Sequence, residues 1–115
     1  MNMTLERDLL LVLNRAGETR YDSKHYTIIS GLMGIKKGFK WNGANFAHDG
    51  KRIQGKPQTW KATCLHDVMI QDKNCPFSRK EIDLMFLDQM RKDSFPFAYI
   101  YYLAVRIFAI LRGKN

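Results

Sequence analysis

The second half of the chain opens with a segment whose hydrophobic residues point almost all the way round a helix. Residues 58–71 carry apolar side chains in nearly every direction when they are projected at about 100° per residue. A helix that is apolar on most sides is a buried one. The pattern therefore predicts a central helix that begins near Gln58 or Thr59.

A helix start is encoded in the S-R-K-E sequence of residues 78–81. This is a capping box, in which the hydroxyl of Ser78 accepts a bond from the amide of Glu81 and the Glu81 carboxylate reaches back to Ser78. The apolar residues that follow lie on one broad face. We expect a second helix from Arg79 to about Lys92.

Residues 95–111 form an almost wholly apolar run in which Arg106 is the one charge. The run is at the lower end of the length that spans a bilayer, so no transmembrane span is expected. We interpret it as a core helix in preference to an interfacial or membrane helix. Pro96 is predicted in its first turn, and Asp93 and Ser94 offer caps.

The first half has the composition of short strands and loops. Residues 25–30 (HYTIIS) predict a strand, and residues 5–13 fit either a helix or a strand. Residues 34–41 indicate a short strand with a kink, and residues 42–57 a long irregular loop. The fold class is therefore α+β and mainly helical: one domain over 1–115, with a strand and loop half to about residue 57 and a helical half from about residue 58.

The chain has 115 residues and a formal net charge of +8, which favours anionic partners: phospholipid, an acidic protein or nucleic acid. A solvated basic surface without a specific partner is the alternative. Candidate binding residues are Lys51, Arg52, Lys56 and Trp41, within a larger basic and aromatic set that adds Lys36, Lys37, Lys40, Lys61 and Trp60.

Cysteine usage and the N-terminus indicate a reducing compartment. Cys64 and Cys75 form neither a CxxC motif nor a zinc-type cluster, and Cys64 is expected to be a buried free thiol. Residues 1–7 carry charges where a signal peptide needs an apolar core. We expect the protein in a reducing cytoplasm, without secretion by a signal peptide.

Two titratable residues are predicted on apolar helix faces, where they could form a hydrogen bond with each other. His66 lies on the first predicted helix and Asp83 on the second, where an unpaired carboxylate is costly. A contact between them would fix the imidazole tautomer and leave the other ring nitrogen free as a base. Asp67 beside them could bind a cation, with backbone carbonyls of residues 38–45 as further ligands. A satisfied structural network, with no catalysis, is the alternative reading.

Four short segments in order resemble a family of small tailed-phage and prophage proteins, a domain of unknown function. They are G-F at residues 38–39, H-D at 66–67, S-R-K-E-I-D at 78–83 and Y-L-A-V-R-I-F at 102–108. The resemblance covers most of the chain from about residue 21. It departs where the family usually has an Asp, here Asn42, and often a Tyr, here Ile70. The resemblance implies a phage accessory or virion protein, located in the host cytoplasm or in the virion.

The same helix pair is similar to that of the calcium-dependent phospholipases. In those enzymes a His-Asp pair supplies the base and a calcium ligand, and an Asp on the next helix orients the His. This similarity implies catalytic roles for His66 and Asp83 and a Ca²⁺ site at Asp67, with Asn42 as a second candidate ligand. The enzymes' glycine-rich calcium loop has no convincing counterpart here.

Two functions are therefore carried forward. One is a hydrolase-like site that activates water with His66 against an ester, with phospholipid as the substrate class that the similarity implies. The other is a non-catalytic basic binding protein that acts on a host protein, on nucleic acid or within the virion.

Overall fold

The computed structural model describes residues 2–42, 52–53 and 56–114, and it consists of short strands followed by three helices. The strands are β1 (Asn2–Thr4), β2 (Leu9–Val12), β3 (Arg20–Asp22), β4 (Tyr26–Ile29), β5 (Leu32–Ile35), β6 (Lys40–Asn42), β7 (Arg52–Ile53) and β8 (Lys56–Pro57). The helices are α1 (Trp60–Ile70), α2 (Arg79–Lys92) and α3 (Ala98–Leu111). The predicted α+β class is confirmed.

Four of the strands form an antiparallel sheet in the order β2-β5-β4-β3. The predicted strand at residues 25–30 is β4, and the ambiguous residues 5–13 contain β2. The turn between β4 and β5 consists of Ser30 and Gly31, with φ of 45° and 87°. Positive φ at both positions is what a tight two-residue hairpin requires.

The two faces of this sheet have different surroundings, because side chains alternate along a strand. One face is buried and contributes Leu11, Tyr26, Ile28, Met33 and Ile35 to the core. The other face exposes four aliphatic side chains, which are Leu10, Val12, Ile29 and Leu32.

Residues 34–41 do not form one kinked strand, and this prediction is wrong. They contain the end of β5, a turn and then β6, which pairs with β1. Gly38 in the turn has φ of 91° and donates its N–H to the carbonyl oxygen of Leu5 at 2.9 Å. The chain therefore leaves the four-stranded sheet at this glycine. Of the predicted loop 42–57, the described part includes β7 and β8, which pair with each other, while residues 43–51 and 54–55 lie outside the described residues.

The first two helices are found where the sequence predicts them. α1 is buried on most sides, and Cys64 within it is a buried free thiol. α2 begins at the capping box, in which Glu81 donates its N–H to the Ser78 hydroxyl at 3.1 Å and the Ser78 N–H reaches the Glu81 carboxylate at 3.0 Å. Both halves of the motif are present, as predicted.

The connection from α2 to α3 differs from the prediction. Asp93 is the C-cap of α2, and Ser94 follows with φ of 59°, so that Phe95 donates its N–H to the carbonyl of Met90 at 2.9 Å. These residues close α2 by a left-handed turn. They therefore do not cap α3. That helix starts at Ala98, so Pro96 lies two residues before it, and the prediction that Pro96 is in the first turn is wrong.

α3 is buried on only one side, so the interpretation of residues 95–111 as a core helix is only partly correct. Ala98, Tyr101 and Ala109 are buried, whereas one side exposes a series of large apolar residues. The helix ends in a turn in which Gly113 has φ of 73° and Lys114 donates its N–H to Ala109 at 2.7 Å. Within the described part of the chain, no helix combines the length and the apolar run that crossing a membrane needs.

Among the described residues, the core has two clusters of buried side chains. The larger one joins the inner face of the sheet to α1 and α2, and the smaller one joins α1 and α2 to α3. Both clusters draw on α1 and α2, so these helices form the middle layer. The facing sides of α1 and α2 hold the candidate site.

Candidate functional site

His66 and Asp83 are in direct contact at the centre of the molecule. Nε2 of His66 on α1 lies 2.7 Å from Oδ1 of Asp83 on α2, and both side chains are buried. The ring of Phe86 packs against the imidazole, with ring centroids 4.9 Å apart. The contact predicted from the two anomalous helix positions is confirmed, although a contact alone does not establish a catalytic role.

Asp83 also binds two arginines that the sequence analysis did not assign. Nε of Arg79, one turn earlier on α2, lies 3.0 Å from Oδ1, and a terminal nitrogen of Arg106 on α3 lies 2.8 Å from Oδ2. The sequence contains features that could have identified both arginines. Arg79 is four residues before Asp83, and Arg106 is the only charge in the apolar run of α3. A charge in such a position needs a buried partner of opposite sign.

The partners of Asp83 decide its ionisation. Burial acts to raise the pKa of Asp83, but hydrogen bonds from His66, Arg79 and Arg106 outweigh it and hold the pKa below the usual range. An ionised carboxylate can only accept hydrogen bonds, so Nε2 of His66 must carry the proton in this contact. In the neutral ring, Nδ1 of His66 is then the acceptor and the available base.

Asp67 lies on the Nδ1 side of the imidazole. Its Oδ1 is 4.0 Å from Nδ1 of His66, and its carboxylate accepts the backbone N–H of Asn42. Burial raises the pKa of Asp67 to about 6, against the opposing effects of His66 and the Asn42 amide. Titratable groups with such perturbed pKa values are concentrated at functional sites.

A small open cavity adjoins Asp67. It has a volume of about 220 Å³ and is lined by Lys40, Trp41, Asn42, Asp67 and Gln71. Strand β6 supplies three of these residues, α1 supplies Asp67, and Gln71 is the C-cap of α1. The cavity thus gives a polar, partly basic approach to the Asp67 side of the imidazole.

The predicted cation site is only partly represented in the structure. Asn42 is next to Asp67, as the two candidate ligands require, but it contributes an N–H donor to the carboxylate. Among the described residues there is no group of three or more His, Cys, Asp or Glu side chains arranged to hold a metal ion. Calcium takes six to eight oxygen ligands. The described residues do not fit a complete calcium site, and residues 43–45 of the segment predicted to add ligands lie outside them.

The predicted basic and aromatic surface is altered by the position of Trp41. Its ring is 4% exposed, packs parallel to Phe39 at 6.1 Å, and donates its indole N–H to the Thr63 hydroxyl at 3.0 Å. Trp41 is therefore a core residue at the edge of the cavity, and the prediction that it offers a surface ring for binding is wrong. Its apolar area is buried against Phe39 and α1 because it follows the inward-facing register of β6.

Other members of the predicted surface do come together. Nζ of Lys56 lies 4.4 Å from the centroid of the Trp60 ring, and Nζ of Lys61 lies 5.7 Å from it, both in cation–π geometry. Arg52 is in β7, and Lys51 lies outside the described residues. Their binding roles stay predictions.

A second polar cluster, partly buried, was not expected from the sequence. Hydroxyls of Tyr21 and Tyr26 both donate to Oδ2 of Asp72, at 2.7 and 2.8 Å. Burial would raise the pKa of Asp72, but these bonds and the Asn74 amide hold it below the usual range. The three residues link β3 and β4 to the end of α1, and no spacing in the sequence signals the contact because it depends on how the sheet packs on the helix.

The chain has no significant match among protein-family models, curated proteins or solved structures. The resemblance to the phage family and the similarity to calcium-dependent phospholipases therefore stay predictions that rest on the quoted motifs.

Proposed function

We propose that this protein is a small hydrolase in which Nδ1 of His66 activates water against an ester. The observation that carries the proposal is the 2.7 Å contact between Nε2 of His66 and the fully buried, ionised Asp83. That contact orients the imidazole and leaves Nδ1 as the base. A His base held by a carboxylate is a recurrent arrangement in hydrolytic enzymes.

Asp67 is the second residue that supports the proposal, through its position beside Nδ1 of His66. Two polar atoms 4.0 Å apart, as are Nδ1 of His66 and Oδ1 of Asp67, are too far for a direct hydrogen bond and close enough for one water to bridge. A water held there loses a proton to Nδ1 while its oxygen attacks the ester carbonyl carbon. The proton then passes from the imidazole to the leaving alkoxide, which gives an acid and an alcohol.

The cavity beside Asp67 supports a choice of substrate class. Lys40 on its rim places a positive charge where an ester with an anionic group would enter. A phospholipid ester is the substrate that the similarity to phospholipases implies. No step of this mechanism is assigned to a divalent cation, and a calcium site at Asp67 stays a prediction of the sequence.

Hydrolysis of para-nitrophenyl butyrate by the full chain tests the proposal. We expect His66→Asn to lower the rate roughly 100-fold to 10,000-fold, which is the usual contribution of general base catalysis. His25→Asn is the matched control, since His25 packs against Phe39 and is outside the Asp83 network. Circular dichroism checks that both variants fold. An unchanged rate in His66→Asn, or no hydrolysis by the unmodified protein with this ester and with a fluorogenic phospholipid, would contradict the proposal.

The proposed setting is a tailed phage or prophage, with the protein in the virion or the host cytoplasm. This part rests on the resemblance of the four motif segments.

A non-catalytic binding protein is the second candidate, and the placement of Lys56 and Lys61 against Trp60 favours it. Such a basic aromatic cluster suits phosphate-bearing partners. The double variant Lys56→Ala with Lys61→Ala separates the candidates. If it abolishes binding of a single-stranded oligonucleotide, while His66→Asn changes neither binding nor any hydrolysis, the binding protein is the better account.

A further inference from the structure

The outward side of α3 is an apolar surface that the fold leaves uncovered. Its members, which we call the α3 outer face, are each 56–77% exposed: Tyr99, Ile100, Leu103, Ile107, Ile110 and Leu111. At about 100° per residue they fall within one third of the helix circumference. Contiguous exposed apolar patches on soluble domains mark surfaces that meet a partner or a membrane.

The orientation of α3 is fixed by contacts on its opposite side. Ala98, Tyr101 and Ala109 are buried, and Arg106 forms its ion pair with Asp83 in the interior. Rotating the helix to hide the outer face would withdraw Arg106 and leave the buried Asp83 without one of its cations. The outer face therefore stays outward in the folded protein.

Positive charge lies at both ends of α3, and the helix contains no acidic residue. The guanidinium of Arg91 lies 5.5 Å from the ring centroid of Tyr99 at the start of the helix. Arg112 and Lys114 follow its end and are exposed. The turn at Gly113 bonds the backbone of both residues to the last turn of the helix, and Lys114 shares a cavity with Arg79 and Ile82 of α2.

An apolar centre with a basic border and an aromatic residue at its edge is complementary to an anionic lipid surface. Tyrosine is enriched at the level of the lipid headgroups, where Tyr99 would lie. A second copy fits less well, because its own +8 charge would oppose association. Nucleic acid fits less well too, because aliphatic side chains offer bases no stacking platform.

We propose that the α3 outer face docks this protein on the surface of an anionic phospholipid bilayer. α3 lies parallel to the membrane plane, with Leu103 and Ile107 among the acyl chains and Arg91, Arg112 and Lys114 at the phosphates. The proposal does not rest on hydrolysis by His66, and either one can fail without the other.

Vesicle co-sedimentation of the full chain tests the apolar part. We expect binding to phosphatidylglycerol vesicles that is at least roughly tenfold stronger than binding to phosphatidylcholine vesicles. Leu103→Asn with Ile107→Asn should weaken binding at least roughly tenfold, since it removes two side chains from the lipid. The matched control is Leu10→Asn with Leu32→Asn, which alters the exposed apolar face of the sheet and should leave binding unchanged.

The basic border is tested separately. Arg112→Gln with Lys114→Gln should weaken binding to phosphatidylglycerol vesicles roughly tenfold or more, and added salt should reduce this difference. Lys24→Gln with Lys37→Gln removes the same charge from the strand half and should have a smaller effect. Circular dichroism confirms that each variant is folded.

Three results would overturn the proposal. They are an absence of vesicle binding by the unmodified protein, equal effects of the α3 and sheet variants, and equal binding to neutral and anionic vesicles. A lipid-free dimer that Leu103→Asn with Ile107→Asn converts to a monomer, without vesicle binding, would assign the face to a second copy of the chain.

Discussion

Asp83 is a single carboxylate that serves three cationic or donor groups from three helices. His66 belongs to α1, Arg79 to α2 and Arg106 to α3, and all three reach Asp83 within 3.0 Å. An anion enclosed in this way is stabilised by its partners, and the partners depend equally on it. Loss of the anion affects the whole group, because two guanidinium groups would remain close together in the interior.

Replacing Asp83 should therefore be far more costly than replacing an exposed acidic residue. We expect Asp83→Asn to lower the free energy of unfolding by about 3–5 kcal/mol, as measured by urea denaturation. Asp88 is the matched control, because it pairs with Arg15 near the surface, with side chains 24% and 43% exposed. Asp88→Asn should cost about 1 kcal/mol or less. Similar losses in both variants would contradict this account of the Asp83 network.

Asp67 should give the stability of the protein an unusual pH dependence. Burial raises its pKa to about 6, so between about pH 4 and pH 6 the folded state holds this proton more tightly than the unfolded chain does. The contribution of Asp67 to the free energy of unfolding is then greatest at low pH, falls through this window, and is level above about pH 6.

The substitution Asp67→Asn isolates that contribution. It keeps an oxygen to accept the Asn42 amide and cannot ionise. We expect it to raise the free energy of unfolding at pH 7 by about 1–3 kcal/mol and to flatten the curve between pH 4 and pH 6. Urea denaturation of both proteins at pH 4.5 and pH 7 measures the difference, and an identical slope in the two proteins would show that Asp67 titrates normally.

At the residue scale, the sequence predicts part of the site. His66 and Asp83 are recognisable because each is a polar group on an apolar helix face, and the structure brings them together. Arg106 follows from the same reasoning once α3 is known to pack against α1 and α2. The burial of Trp41 does not follow, since it depends on the three-residue strand β6 and its pairing with β1.

At the element scale, local chemistry determines α2 more fully than any other segment. Its start is encoded by side chains that bond to their own backbone, so the capping box is readable without tertiary information. The strands of the four-stranded sheet are three or four residues long. Such strands are too short for the alternation of apolar and polar residues to be recognised in the sequence. The exposure of one side of α3 could not be predicted either. An apolar sequence does not show whether the surface that covers a helix belongs to the same chain.

The two helix starts should respond differently to loss of a hydroxyl. Ser78→Ala removes the cap of α2 and should lower the free energy of unfolding by about 1 kcal/mol. Thr59 occupies the N-cap of α1, and its buried hydroxyl has no hydrogen-bond partner among the described residues. Thr59→Val keeps its shape, so we expect unchanged or greater stability by urea denaturation. A loss of 1 kcal/mol or more would reveal a bond to the Thr59 hydroxyl.

At the scale of the whole molecule, α1 and α2 separate two apolar clusters and belong to both. The sheet packs on one side of this helical layer and α3 on the other. The surface has a corresponding division, with exposed aliphatic residues on the outer side of the sheet and a longer apolar face on α3. Basic residues border the face on α3, which is why the membrane proposal concerns that face and not the sheet.

The ion pair between Arg106 and Asp83 connects α3, at the surface, with the buried site around His66. A contact that moved α3 away from α2 would weaken the ion pair between Arg106 and Asp83, the carboxylate that orients His66. If attachment through α3 shifts this ion pair, attachment and binding at the imidazole are linked, and each alters the affinity of the other by the same factor. Arg106→Lys keeps the positive charge but replaces the guanidinium with a single ammonium nitrogen, and it should weaken that linkage without removing the charge.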